Sequence, residues 1–115
     1  MIELNIPYPP SANALWRSNR GRVHKSRRYV DWMLEAGLKV KSQHPGKIEG
    51  QYKIGIQAVR PDKRRRDLDN VLKPCSDLLK SLGVIEDDYL CEMITARWVT
   101  YGEGIYVRLE PAGIE

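Results

Sequence analysis

The sequence has no phenylalanine, only two cysteines and two histidines, and no apolar run approaching the ~18 residues of a membrane span. Cys75 and Cys91 do not form a Cys-x-x-Cys pair, which argues against a thiolate zinc site, and their apolar surroundings fit ordinary buried thiols. His24 and His44 share no motif. There is no glycine-rich phosphate loop and no Gly-x-Ser-x-Gly elbow, and Ser11 and Ser26 have no evident His/Asp partners. The start, Met-Ile-Glu-Leu, lacks the charged-then-apolar layout of a secretory leader, so a soluble cytosolic protein is expected. Three tryptophans and six tyrosines take the place of phenylalanine. Trp32 and Trp98 are expected in the core. Trp16, among Arg17, Arg20 and Arg22, suits either stacking on a base or packing under its loop.

What is present is charge, unevenly placed. The net charge is only +4, yet residues 1–66 hold 15 Lys and Arg against 5 acids, while residues 67–115 hold 4 against 10. Six cations fall between Arg17 and Arg28. A basic half fits a polyanionic partner, most often nucleic acid, although solvated surface charge is an equally good account of the count alone.

At 115 residues one domain with one modest core is expected. Ile2, Leu4, Ile6 and Tyr8 alternate as a half-buried strand ended by Pro7, Pro9 and Pro10. Residues 11–25 read as a long basic loop with a turn or hairpin around Asn19–Arg22. Ser26 is a candidate N-cap for a helix to about Ser42, with Tyr29, Trp32, Met33, Ala36 and Val40 on one face and His44-Pro45-Gly46 as its stop. Tyr52, Ile54, Ile56 and Ala58 form a second alternating strand. A second helix spans about Asn70 to Leu82, buries Leu72, Cys75, Leu78, Leu79 and Leu82, and ends at Gly83. Pro74 is tolerable there only within the first turn, where backbone donors are partly orphaned anyway. Residues 90–100 and 104–110 read as two strands joined as a hairpin at Tyr101-Gly102-Glu103-Gly104. The expected class is α/β (α+β), with a mixed sheet of about four strands and two main helices.

The most informative run is Arg64-Arg65-Arg66-Asp67-Leu68-Asp69-Asn70. A bare Asp-x-Asp is more often a helix cap and a surface acid. If extended, Asp67 and Asp69 share one side and Leu68 faces the core. Lys73 follows Asp69 by about one helical turn, and Asp87 and Asp88 follow the helix after a tight turn. Whether residues 84–88 return to meet the first pair is open from sequence. Carboxylates without His or Cys suit a hard cation such as Mg²⁺, with Mn²⁺ a possible substitute. Arginines beside them suit phosphates, so the combination points to metal-dependent phosphodiester cleavage.

The stretch from Pro61 through Arg64-Arg65-Arg66-Asp67-Leu68-Asp69-Asn70 to Lys73, then Asp77, Leu79, Gly83 and Asp87-Asp88, closely resembles the RusA family of Holliday junction resolvases. Pro9-Pro10-Ser11-x-Asn13 and Arg20-Gly21-Arg22-x-x-x-Ser26 match it as well. The resemblance implies a small homodimeric, Mg²⁺-dependent endonuclease that resolves four-way DNA junctions by paired nicks, working at the nucleoid. Prophage origin is plausible on the same ground. It implies Asp67, Asp69 and Asp88 as metal ligands, with Asp87 a neighbouring acid, and Lys73 as a catalytic lysine. Pro74 departs from the small residue expected beside it. Arg17, Arg20, Arg22, Lys25, Arg27, Lys63, Arg64, Arg65, Arg66 and Asn70 are the candidate DNA contacts. A homodimer would bring two such sites to one junction, using apolar surface at Trp98, Tyr101, Ile105 and Tyr106 or on the Tyr29–Val40 helix. A non-catalytic nucleic-acid-binding protein and a flap- or RNA-directed nuclease are the alternatives.

Overall fold

The computed structural model describes residues 1–11 and 14–113. Asn13, part of the Pro-Pro-Ser-x-Asn match, lies outside the described residues. Strand β1 (Ile2–Ile6) stops at Pro7. The basic segment that follows folds as a separate hairpin of β2 (Trp16–Asn19) and β3 (Arg22–Lys25), turning at Arg20 and Gly21, both with positive φ. Helix α1 (Arg27–Ser42) begins at Ser26, whose hydroxyl accepts from the Tyr29 amide at 3.1 Å. Strand β4 (Tyr52–Val59), helix α2 (Leu72–Ser81), β5 (Cys91–Val99) and β6 (Ile105–Pro111) complete the chain.

The main sheet has the order β1-β6-β4-β5. Its alternation puts Leu4, Ile6, Ile54, Ile56, Ala58, Ile105, Val107 and Leu109 on one buried face. Tyr29, Trp32, Ala36 and Val40 of α1 and Cys75, Leu78 and Leu79 of α2 join them in one continuous core. Burial pushes the Cys75 thiol up to about 12, so it stays protonated and inert. Cys91 is only half-buried, against the expectation of two interior thiols, because β5 lies at the sheet edge. Trp98 is likewise partly buried, packed on the rim of the core rather than within it. No helix among the described residues is long and apolar enough to cross a membrane.

The expected β5–β6 hairpin does not form. β4 lies between the two strands, parallel to β5 and antiparallel to β6. The α2 crossover returns the chain to the side of β4 and sets β5 there in parallel, as such crossovers do. β6, with three fully buried side chains, takes the central place, and β5, with Glu92, Thr95 and Arg97 exposed, takes the edge. At the opposite edge the Gln43 side chain pairs with both the N–H and the C=O of Asn5, at 2.8 and 2.9 Å. An amide thus blunts an edge open to another strand.

Residues 100–104 cross the end of the sheet, held where the Val59 amide donates to the Gly104 carbonyl at 3.0 Å. Gly104 has φ +71, and a Cβ there would lie 2.6 Å from the Ile6 carbonyl oxygen. Gly102 has φ +82 but open space around it. Gly102→Ala should therefore lose about 1 kcal/mol from the left-handed backbone alone. Gly104→Ala should lose at least about 2 kcal/mol, because the clash adds to that strain. Urea denaturation of the two variants checks this, and equal losses would contradict the close approach.

Candidate active site

The Arg60–Asn70 segment leaves β4 and is folded by its own charges. The Asp62 carboxylate accepts from the Arg64 amide at 3.0 Å and from the Arg66 Nε and Nη2 at 3.3 and 2.8 Å. The Arg66 guanidinium also lies over the Tyr8 ring, 5.5 Å from its centroid. Tyr8 stacks on Trp98 at 6.4 Å with 9° between planes, and Arg60 covers Trp98 at 4.5 Å. These residues come from the chain after β1, the loop after β4 and strand β5, and the fold stacks them as cation, ring, ring, cation. Arg66, one of the candidate phosphate contacts, is engaged with Asp62 and Tyr8, its side chain 18% exposed.

Asp67 is extended and caps a short 3-10 turn, Leu68–Val71, without a side-chain capping bond. Asp69 lies in that turn, so the Asp-x-Asp is not the strand-like pair considered above. The burial still alternates: Leu68 is half-buried, Asp67 and Asp69 are exposed, and Val71 is buried. Among the described residues neither Asp67 nor Asp69 has a side-chain hydrogen bond or ion pair. Helix α2 follows at once. Pro74 is its third residue, where the missing N–H belongs to the orphaned first turn.

Lys73, the second residue of α2, lies between two carboxylates. Its Nζ is 3.0 Å from Asp77 Oδ1 and 3.4 Å from Asp88 Oδ2. The second oxygen of Asp77 accepts from the Tyr29 hydroxyl at 2.9 Å. The hydrogen bond from Lys73 to Asp77, then the Asp77 charge, hold the ammonium above its ordinary pKa. Burial, followed by the bond to Asp77, pushes the Tyr29 hydroxyl up as well. Residues 84–88 do return after the Gly83 turn, with Asp88 at the Lys73 head. Asp87 turns to Lys80 instead, at 3.2 Å. Asp77 and Tyr29 were not among the candidate site residues. The i,i+4 spacing of Lys73 and Asp77 was the signal for the first, while the Tyr29 contact across 48 residues had none.

Among the described residues no three His, Cys, Asp or Glu side chains are already gathered as a metal-binding group. The two unpartnered carboxylates and Asp88 are all oxygen donors, a set that fits a hard divalent cation rather than zinc. Arg64, Arg65 and Lys63 are exposed beside them. Arg17, Arg20, Arg22 and Lys25 are carried on the β2–β3 hairpin, Lys25 over the Tyr29 ring at 5.8 Å. Arg27 makes a long 3.9 Å contact with Asp31 on exposed helix surface. Trp16 packs edge-on against Tyr29 at 5.8 Å and is 43% exposed.

Comparison with known proteins gives the class first: residues 7–110 match the family described as endodeoxyribonuclease RusA, and the chain belongs to that family of DNA-cutting enzymes. Among its relatives, the crossover junction endodeoxyribonuclease RusA of Aquifex aeolicus is 31% identical over 89% of this chain and 83% of its own length. The proteins of the same name from Escherichia coli K12 and Enterobacteria phage 82 are 36% and 38% identical, each over 74% of this chain and 72% of their own.

Hydrogen bonding to Arg66 and Arg64 holds Asp62 below the usual carboxylate range. A depressed carboxylate stabilises its contacts above its unfolded pKa and releases them as pH falls through the folded value, so this clamp is intact at neutral pH and opens only in acid. Asp62→Ala is expected to speed hydrogen exchange at the Arg64 amide, which loses its acceptor, while the denaturation midpoint hardly moves because the pair is exposed. Unchanged exchange at Arg64 would mean that the loop is held by something else.

Proposed function

We propose that this chain is a divalent-cation-dependent resolvase of four-way DNA junctions that makes paired symmetric nicks as a homodimer. The observation that carries the reading is the Lys73–Asp88 contact, which joins the acid after α2 to the helix start next to Asp67 and Asp69. The names of its relatives as crossover junction endodeoxyribonucleases supply the substrate.

In this reading Asp67, Asp69 and Asp88 hold the cation, with Asp87 beside them. When bound, Mg²⁺ or Mn²⁺ would supply charge neutralisation at the phosphate and an activated water. Lys73 has three N–H donors, two of them directed at Asp77 and Asp88, and the third serves the scissile phosphate as charge develops. Asp77 keeps the ammonium protonated and positioned, and Tyr29 in turn orients Asp77. Lys63, Arg64, Arg65, Asn70 and the hairpin cations bind the flanking strands, where many phosphate contacts add up. Arg66, held by Asp62 and Tyr8, lines the hollows beside Asp67 and Arg64 and offers its guanidinium from a fixed position.

Incubation of labelled four-way junction, duplex and flap with and without Mg²⁺ is the test. Cutting of the junction alone, at symmetric positions and only with metal, supports the proposal. Junction binding without any cutting would favour a non-catalytic binding protein, and preferred cutting of flaps or RNA the other nuclease. Asp69→Asn keeps size and removes charge, so it should lower cleavage by about 10²-fold or more and spare binding. Cleavage by Asp69→Asn at near wild-type rate would remove Asp69 from the metal site.

One carboxylate set per chain makes one cut, so two nicks call for two copies. Helix α1 offers a surface for this: Val30, Leu34 and Leu38 recur one turn apart on its outer side and are 42%, 65% and 71% exposed. Light scattering is expected to give about twice the 13.3 kDa chain mass. Leu34→Asp with Leu38→Asp should halve it. A wild-type monomer that still cuts both strands symmetrically would refute the paired-site mechanism.

A further inference from the structure

Beside Asp67 lies a hollow of about 380 Å³, in the size range of small-ligand pockets. One wall is the Tyr8–Ser11 ledge, and the other is Asp67, Asn70 and Val71. The ledge is fixed before any ligand arrives. Pro9 is buried, the Trp32 indole donates to the Pro7 carbonyl at 3.0 Å, and Tyr8 is held between Trp98 and Arg66. A second hollow of about 400 Å³ runs along the same ledge, lined by Arg28, Arg64 and Arg65. Arg65 borders both.

The two compartments differ in chemistry. The second gathers guanidinium groups, which match phosphate. The first shares the Tyr8–Ser11 ledge, Arg65 and Arg66 with it and adds Asp67, Val71 and Asn70, whose side-chain amide presents a donor and an acceptor together, the pattern that reads a base edge. We propose that the first hollow receives a single unstacked nucleobase of the cleaved strand, with its backbone phosphate on Arg28, Arg64 and Arg65. Asp67 itself lines the hollow, so the base belongs to a nucleotide next to the bond that is cut. A paired base inside a duplex cannot enter, whereas one at a branch point leaves its stack at little cost. The pocket would thus contribute both branch selectivity and sequence preference at the cut. This rests on the nuclease reading for the role of Asp67 but not for the occupancy of the pocket.

The experiment scans 2-aminopurine through each position around the crossover of a four-way junction, and through a single-stranded oligonucleotide, in metal-free buffer. One strand position is expected to change its fluorescence on binding, and its neighbours are not. Ser11 is exposed, so Ser11→Trp fills the hollow from the rim without entering the core. It should abolish the signal while leaving junction affinity within about threefold, since phosphate contacts dominate binding. Asn70→Ala, as a second variant, should keep the fluorescence response and level the cleavage rates among the four bases at the responsive position. With Mg²⁺ added to the wild type, the cut should fall at the bond adjoining that position. Bound DNA with no responsive position, a response that survives Ser11→Trp, or cutting away from the responsive base would each overturn the assignment. Absence of cleavage with an intact, Ser11-dependent response would sink the nuclease reading and leave the base pocket standing.

Discussion

The position of Lys73 depends on everything around it, and the site depends on Lys73. Its ammonium is shared by Asp77, one turn along α2, and Asp88, fifteen residues on. Without that cation the two carboxylates it joins would be left as neighbouring like charges, which repel or protonate. With it, the end of the α2 crossover is tied to its beginning. Tyr29 extends the tie to α1 through Asp77. Helix α1, helix α2 and the segment bearing Asp88 are thereby registered around one ammonium.

The loop before α2 is held by a second set of contacts. The stack of Arg66, Tyr8, Trp98 and Arg60 brings together the exit of β1, the loop and the edge strand β5. Each such contact is worth about 1 kcal/mol or less when exposed, so its value is positional rather than a source of global stability. It fixes the ledge on one side and the turn bearing Asp67 on the other, and the space between them follows from both.

Much of this was legible in the sequence. The alternation of Leu4 with Ile6 and of Ile54 with Ile56, and the stripe of Tyr29, Trp32, Ala36 and Val40, located strands and helices because each reports its own burial. Ser26 marked the start of α1 correctly for the same local reason. The strand order did not follow, since Tyr101–Gly104 carries ordinary turn residues and nothing in them says that β4 will take the place between β5 and β6. At the site, the acids and Lys73 stood out by spacing. The placement of Arg66 did not, because three adjacent arginines look alike until one of them is given a ring and a carboxylate.

That last distinction decides which charges remain available. Arg66 is the direct neighbour of Asp67 in sequence, and a salt bridge between them would have neutralised the acid. The loop turns Arg66 back toward Asp62 instead, at 2.8 Å, and leaves Asp67 exposed with no partner among the described residues. A carboxylate left without an arginine partner keeps its full charge, which is the condition the proposed metal reading needs. Asp62 therefore acts on the site without entering it. By holding the guanidinium next to Asp67 in sequence, it leaves Asp67 unpaired among the described residues and Arg64 and Arg65 exposed. The proposed division of labour, metal on one side and phosphate on the other, rests on that separation within six charged and polar residues and Leu68.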